Sequence, residues 1–202
     1  MDAPPSRLNL GCGNKRREGF VGVDIGDFDA VDVRQDVISY LRSLGDATVQ
    51  EIYSRHFLEH LEPPALQELL AQVDRVLRPG GRIHFIVPHF SNPYFHSDPT
   101  HRQAFGVHTF SYLCERTCLH RHVPAYARRA GWTLSRVKVG FLPYERWHLF
   151  GRRMPMLSDL LNRVVNRSPL RIELFERYLS GVLSIYEVEF FIDKSPAGSA
   201  SA

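Results

Sequence analysis

The spacing of apolar residues changes along this chain, and each change marks an element. Leu66, Leu69, Leu70, Val73 and Leu77 fall at i, i+3, i+4, i+7 and i+11, which is one face of an α-helix. Pro63 suits the first turn of that helix, where a missing N–H costs nothing, and Pro79-Gly80-Gly81 stops it. Residues 82–87 (RIHFIV) then read as a continuous apolar strand, the kind covered on both faces of a parallel sheet. Upstream, Arg7–Leu10, residues 20–25 (FVGVDI) and residues 52–54 predict short strands. Downstream, residues 124–131 read as a short helix ending in glycine, and residues 133–139 alternate as a strand. Residues 153–183 carry two helical stretches broken near Ser168-Pro169, and residues 184–192 (SIYEVEFFI) form a final strand. Strand alternating with helix predicts an α/β fold, a parallel sheet with helices on both sides. The last two strands are expected to pair with each other as an antiparallel edge.

Residues 88–112 break the pattern, with three prolines, four histidines and six Phe or Tyr. That is long for a simple connection, and long loops in compact domains are usually functional. The expected organisation is one domain over residues 1–194. Residues 88–122 form a loop on the acceptor side, 141–183 a helical insertion before the last strand, and 195–202 a disordered tail.

Composition narrows the class. The chain has 202 residues, 44% of them hydrophobic, enough for one domain with a buried core. There is no apolar run of membrane-spanning length and no signal-peptide pattern, and three cysteines do not make a disulfide framework. A cytoplasmic location is the expectation. The net charge of +3 is unevenly spread: residues 18–74 sum to −9, and residues 98–153 to +7 with five histidines. Such a division suits two different ligands as well as it suits solvated surface.

The first chemical signal is LNLGCGN at 8–14, a glycine turn after a strand, with Asp24 closing the next strand. Glycines let a ligand approach the main chain, and a carboxylate in that place accepts both hydroxyls of a ribose. The third glycine of a dinucleotide motif is absent, and Gly11 to Asp24 is 13 residues rather than about 20. NAD and FAD are therefore disfavoured, and a smaller adenosine ligand remains.

Four segments in order, LNLGCGN, GVDI, EIYSRHFLEHL and RVLRPGGRIHFIVP, resemble the class I S-adenosylmethionine-dependent methyltransferases, of the type 11 kind. The resemblance covers residues 7–90. It implies a Rossmann-like three-layer sandwich with a seven-stranded, mostly parallel sheet and an antiparallel last strand, and S-adenosyl-L-methionine as cofactor. Carried over by position, Gly11, Cys12 and Gly13 would lie beside the methionine part of the cofactor. Asp24 and Ile25 would meet the ribose, Asp36 and Val37 the adenine, and His56 would face the cofactor after the fourth strand. Asn9 stands where the family usually has an acidic residue.

Methyl transfer mainly needs alignment, and an oxygen or nitrogen acceptor also needs a proton removed. Histidines at the strand ends suit that, so His89, His101 and His56 are the catalytic candidates, with Asp98 able to orient His101. The Glu59-His60 pair is widespread in the family on unlike substrates, which implies a scaffold role. Phe90, Tyr94, Phe95, Asp98 and Arg102 are the candidate acceptor contacts, and the arginines of the middle segment point to an anionic acceptor. Two metal patterns compete with packing: Cys114, Cys118, His120 and His122 as C-x3-C-x-H-x-H with the cysteines on one helix face, and His89, His96, Asp98 and His101. Packing is the expectation for both, with no metal. Residues 151–183 interleave Leu and Val with Arg, which suits packing over the sheet edge, a membrane surface or a twin subunit.

The expected activity is thus methyl transfer to a hydroxyl of a small or glycan-type, anionic acceptor, a phosphate-bearing one included. RNA methylation, and a cofactor-binding but catalytically silent partner subunit, are the alternatives; a nucleic-acid partner is disfavoured because no RNA-binding appendage is recognisable.

Overall fold

A computed structural model describes residues 6–124, 128–141, 148–149, 152–153 and 155–196. One sheet of eight strands organises it, in the order β3-β2-β1-β4-β5-β10-β7-β6. The strands are β1 (Arg7–Leu10), β2 (Val21–Asp24), β3 (Val33–Arg34), β4 (Val49–Arg55), β5 (Leu77–Pro88), β6 (Cys114–Thr117), β7 (Arg129–Gly140) and β10 (Glu187–Lys194). β8 (His148–Leu149) and β9 (Arg152–Arg153) pair apart from it. The helices are α1 (Val37–Ser43), α2 (Pro63–Val76), α3 (Pro155–Val165) and α4 (Pro169–Tyr178).

The helical stripe does what its spacing requires. Leu69, Leu70, Val73 and Val76 of α2 are fully buried, and Leu66 packs partly buried at the cluster's rim. Asp36 caps α1 by accepting from the Ser39 N–H at 2.8 Å, and Ser168 accepts from Arg171 N to begin α4. Such caps satisfy one of the four free N–H groups of a helix start and contribute about 1 kcal/mol each. Residues 11–20 contain no helix, in keeping with the short interval between the glycine turn and Asp24.

Several expectations are corrected. The sheet has eight strands rather than seven, because residues 114–117 form the edge strand β6, parallel to β7. This also removes the helix on which Cys114 and Cys118 were to share a face. β10 is antiparallel as expected and pairs with β7, but it lies inside the sheet, between β5 and β7, not at an edge. Its interior place matches its burial, since Val188, Phe190 and Ile192 are all buried. The direction follows from the chain path. β7 leaves the sheet at Gly140, which pairs with Glu187, so the chain re-enters at the edge where it left and must run back down. Pro79-Gly80-Gly81 lies within β5 as a register break: Val49 faces Leu77, yet Glu51 faces Arg82. The helix expected over 124–131 is strand from Arg129 onward, and residues 125–127 lie outside the described residues. Ser195 is tied to Gly131 through its N–H and hydroxyl; the rest of the expected tail, from 197, lies outside the described residues.

β1 runs parallel to β2 and β4, β4 parallel to β5, and β10 antiparallel to β5, so the carboxyl ends of β1, β2, β4 and β5 and the start of β10 meet at one edge of the sheet. Phe85, Phe110 and Phe190 pack across the sheet beneath that edge. Among the described residues, no helix is long and apolar enough to cross a membrane.

Candidate functional site

Ligands of open α/β sheets bind outside the carboxyl ends of the strands. At β1 that edge is the glycine turn. Gly11 has φ +62°, and a Cβ there would fall 2.3 Å from the Phe57 ring. Gly13 has φ +48° with nothing within 4 Å of where its Cβ would be. The first glycine is thus demanded by packing, whereas the second leaves open space above the main chain. Asp24, at the end of β2, spans the turn: Oδ2 accepts from Gly13 N and Oδ1 from Gly26 N, both at 2.8 Å. Ile25 follows it, 74% exposed, and exposed Phe28 lies nearby in sequence. This is a half-open carboxylate beside bare backbone and an apolar surface, the chemistry that a nucleoside takes.

The other cofactor candidates differ in what they offer. Cys12 is buried, with Sγ 3.7 Å from the Ala30 carbonyl, and burial together with the Asp24 charge pushes its thiol up to about 11. Val37 is buried in the core. Both can meet a ligand only through backbone. The Asp36 carboxylate is exposed and is engaged with the start of α1. Buried Asn9 donates from Nδ2 to the Lys15 carbonyl at 3.0 Å, which holds the turn's far side.

At the end of β4, His56 adopts φ +54°, rare for a residue with a side chain. Its Nε2 lies 3.0 Å from Glu187 Oε2 and its Nδ1 3.3 Å from Glu59 Oε1. Arg55 reaches the same Glu187 oxygen at 3.0 Å. Burial alone would lower the imidazole; the Glu187 hydrogen bond, with the Glu59 and Glu187 carboxylates on either side, outweighs it and raises it to about 9. At neutral pH His56 is therefore a cation, suited to orienting an anion or a dipole and not to removing a proton.

His89, after β5, is fully buried. Its Nδ1 accepts from Ser91 N at 3.1 Å, so the proton sits on Nε2 and is donated to Glu176 Oε1 at 2.9 Å. Both ring nitrogens are occupied, and the residue fastens β5 to α4. His101 donates Nδ1–H to the Phe95 carbonyl at 2.8 Å, and its Nε2 stands 3.7 Å from Asp98 Oδ2. His101 Nε2 therefore makes no hydrogen bond of good geometry and keeps its lone pair.

The candidate acceptor contacts separate into two places. Phe90, half-exposed, lines an open cleft of about 910 Å³ against α4, with His108, His120, Arg121, Leu170, Glu173, Leu174, Glu176 and Arg177. Phe95, Asp98, His101 and Arg102 lie instead against the turn Leu58–His60: Arg102 N and Gln103 N donate to the Glu59 carbonyl, and Arg102 pairs with Glu62 at 3.1 Å. Phe95 is buried with its ring tilted against His101, and Tyr94 is exposed. The cleft has ordered polar walls. Glu173 accepts from the N–H groups of His120 and Arg121 at 3.0 and 2.9 Å. Burial would raise its carboxyl, and those N–H groups with the His120 ring lower it on balance. Burial holds the His108 imidazole below its usual value despite Glu176 and Glu173.

Four functional side chains escaped the sequence reading: Glu187, Glu176, Glu173 and Arg177. Glu187 had a faint signal, an acid at the start of a strand whose buried positions are apolar. The glutamates of α4 had none, since they sit on an ordinary amphipathic helix and only packing turns them toward the 88–122 loop.

The family model described as a methyltransferase domain matches residues 13–85, from the glycine turn through most of β5. None of the curated proteins matches the chain. Among solved structures, an S-adenosylmethionine-dependent methyltransferase from Archaeoglobus fulgidus is similar at TM-score 0.57 and 24% identity, covering 95% of this chain and 87% of that one. Phosphoethanolamine N-methyltransferase 2 of Haemonchus contortus, solved with S-adenosyl-L-methionine, is similar at TM-score 0.55 and 14% identity, over 97% of this chain and 50% of that one. A putative methyltransferase of Haloferax volcanii, solved with the Trm112 activator, gives TM-score 0.50 and 14% identity over 97% and 84%. The chain has the class I methyltransferase fold.

Proposed function

We propose that this chain, having the fold of the S-adenosylmethionine-dependent methyltransferases, moves a methyl group from that cofactor to a hydroxyl of a small or glycan-type acceptor bearing negative charge. The observation that carries the reading is the Asp24 carboxylate bridging Gly13 N and Gly26 N above an open main chain, within the segment that matches the methyltransferase domain. When bound, the cofactor supplies an activated methyl on a sulfonium. Its sulfur would leave as the neutral thioether as the methyl passed to the acceptor oxygen, with the hydroxyl proton released to solvent. The chain's residues then bind and align. Asp24 holds the ribose, exposed Ile25 covers the base edge, and cationic His56 orients polar groups at the end of β4. The cleft of Phe90, Arg121 and Arg177 takes the acceptor's apolar body and its anion.

The test is calorimetric titration with S-adenosylmethionine, S-adenosylhomocysteine and NAD, on the wild type and Asp24→Ala. The expected result is micromolar binding of the two adenosyl ligands, at least tenfold weaker in the variant, and none of NAD, the tenfold loss corresponding to about 1.4 kcal/mol. Folded wild-type protein that binds neither adenosyl ligand overturns the reading.

A further inference from the structure

Glu59 is fully buried, and neither of its carboxylate oxygens receives a hydrogen bond of good geometry. His56 Nδ1 stands 3.3 Å from Oε1, within ion-pairing range, but its N–H is not aimed at the oxygen well enough to satisfy it. A buried carboxylate left in that state is costly unless something else meets it. Two histidines surround it. One ligand atom from each of Glu59, His60 and His101 lies within 4.8 Å of the others. The two rings meet edge to face, with centroids 4.8 Å apart.

The hydrogen bonds around those rings settle their tautomers. The Phe95 carbonyl can only accept, so His101 donates Nδ1–H to it and keeps a lone pair on Nε2. The Thr100 hydroxyl donates to Asp98 Oδ1 at 2.6 Å, so at His60 Nδ1, 2.8 Å away, it acts as acceptor. His60 then also keeps its lone pair on Nε2. Histidines that give one N–H to a carbonyl or a carboxylate-bound hydroxyl, and present the other nitrogen bare, have the outer-shell arrangement of metal ligands. The two halves of the cluster are held in register by main chain, since Arg102 N and Gln103 N both bond the Glu59 carbonyl.

We propose that Glu59, His60 and His101 form a site for one divalent first-row transition-metal cation, with solvent-facing positions left for water or an oxygen ligand. Two imidazoles and one carboxylate suit zinc, manganese, iron or cobalt better than calcium or magnesium, which favour oxygen ligands alone. His60 and His101 are partly exposed, so the cation has a route in. The cluster adjoins His56 at the end of β4, beside the edge where the methyl donor is placed. Resting on the methyltransferase reading, the cation's role is to bind the acceptor hydroxyl and ease loss of its proton.

The experiment uses full-length protein dialysed against chelator, then titrated with Co²⁺ by calorimetry and by visible absorption, with Zn²⁺ as competitor. The expected result is about one equivalent of Co²⁺ bound with new d–d bands, displaced by Zn²⁺. His101→Ala and His60→Ala should each weaken binding at least tenfold while circular dichroism stays unchanged. Wild-type protein that takes up no Co²⁺, or folded variants that bind it as tightly as wild type, overturns the site. Should one variant unfold, the other and the wild-type spectrum decide. S-adenosylmethionine is titrated into the same samples. Metal uptake without adenosyl binding would overturn the methyl-transfer reading and leave the metal site standing.

Discussion

His56 Nε2 and Glu187 Oε2, 131 positions apart in the chain, meet at 3.0 Å and join the end of β4 to the start of β10 across β5. The pair is half-buried, and Arg55 shares the glutamate. Replacing one partner leaves the other charge poorly compensated, so Glu187→Gln should destabilise by about 1–3 kcal/mol. Residues in contact couple, and a His56→Gln/Glu187→Gln double-mutant cycle should give an interaction of roughly 0.5–3 kcal/mol. Urea unfolding of the four proteins measures it. A sum of single effects equal to the double effect would mean that the pair does not hold the edge together.

The contact of Glu176 with His89 sets an acid limit. Burial would raise the Glu176 carboxyl; hydrogen bonds from His89 and Val107 N, with the charges of His89 and His108, bring it below its usual value. A depressed carboxyl contributes stability that is present above its unfolded value and lost as pH falls through the folded one. Wild-type melting temperature should therefore fall more steeply than that of Glu176→Gln as pH drops below about 4.5, the ordinary glutamate value. Parallel curves from pH 6 to 3 would remove Glu176 from the account.

The two glycines of the turn should respond differently. Gly11→Ala meets both a positive φ and the Phe57 ring, and should cost well over ~2 kcal/mol, seen as a drop of many degrees in melting temperature. Gly13→Ala meets only the backbone strain, about 1 kcal/mol, but places a methyl where the open main chain would meet a ligand. It should remain folded and lose adenosyl binding at least tenfold, about 1.4 kcal/mol, by titration.

Arg121 and Arg177 in the α4 cleft predict salt sensitivity. With a charged acceptor, KM should rise several-fold between about 10 and 150 mM salt, as screening shortens the reach of those cations from ~30 Å to ~8 Å. Arg177→Ala should raise KM about tenfold and flatten the salt response, by roughly the energy of one charge-assisted contact. A flat wild-type profile would argue for a neutral acceptor.

Local signals carried much of the architecture. The stripe of Leu69, Leu70 and Val73, the glycine turn and the apolar run of β5 depend on neighbours a few residues away, so periodicity and turn chemistry reveal them. Asp24 was legible for the same reason, because its strand and its turn are adjacent. The interior place of β10 was not, since strand order depends on where the chain returns. Nor were the states of the histidines. His56, His89 and His101 look alike in sequence, yet one is a cation between two glutamates, one is a buried clamp on α4, and one keeps a free nitrogen near the buried Glu59 carboxylate. The acids that separate these states come from far along the chain, Glu187 lying 131 positions from His56 and Glu176 87 from His89, and only tertiary packing decides which of them arrive.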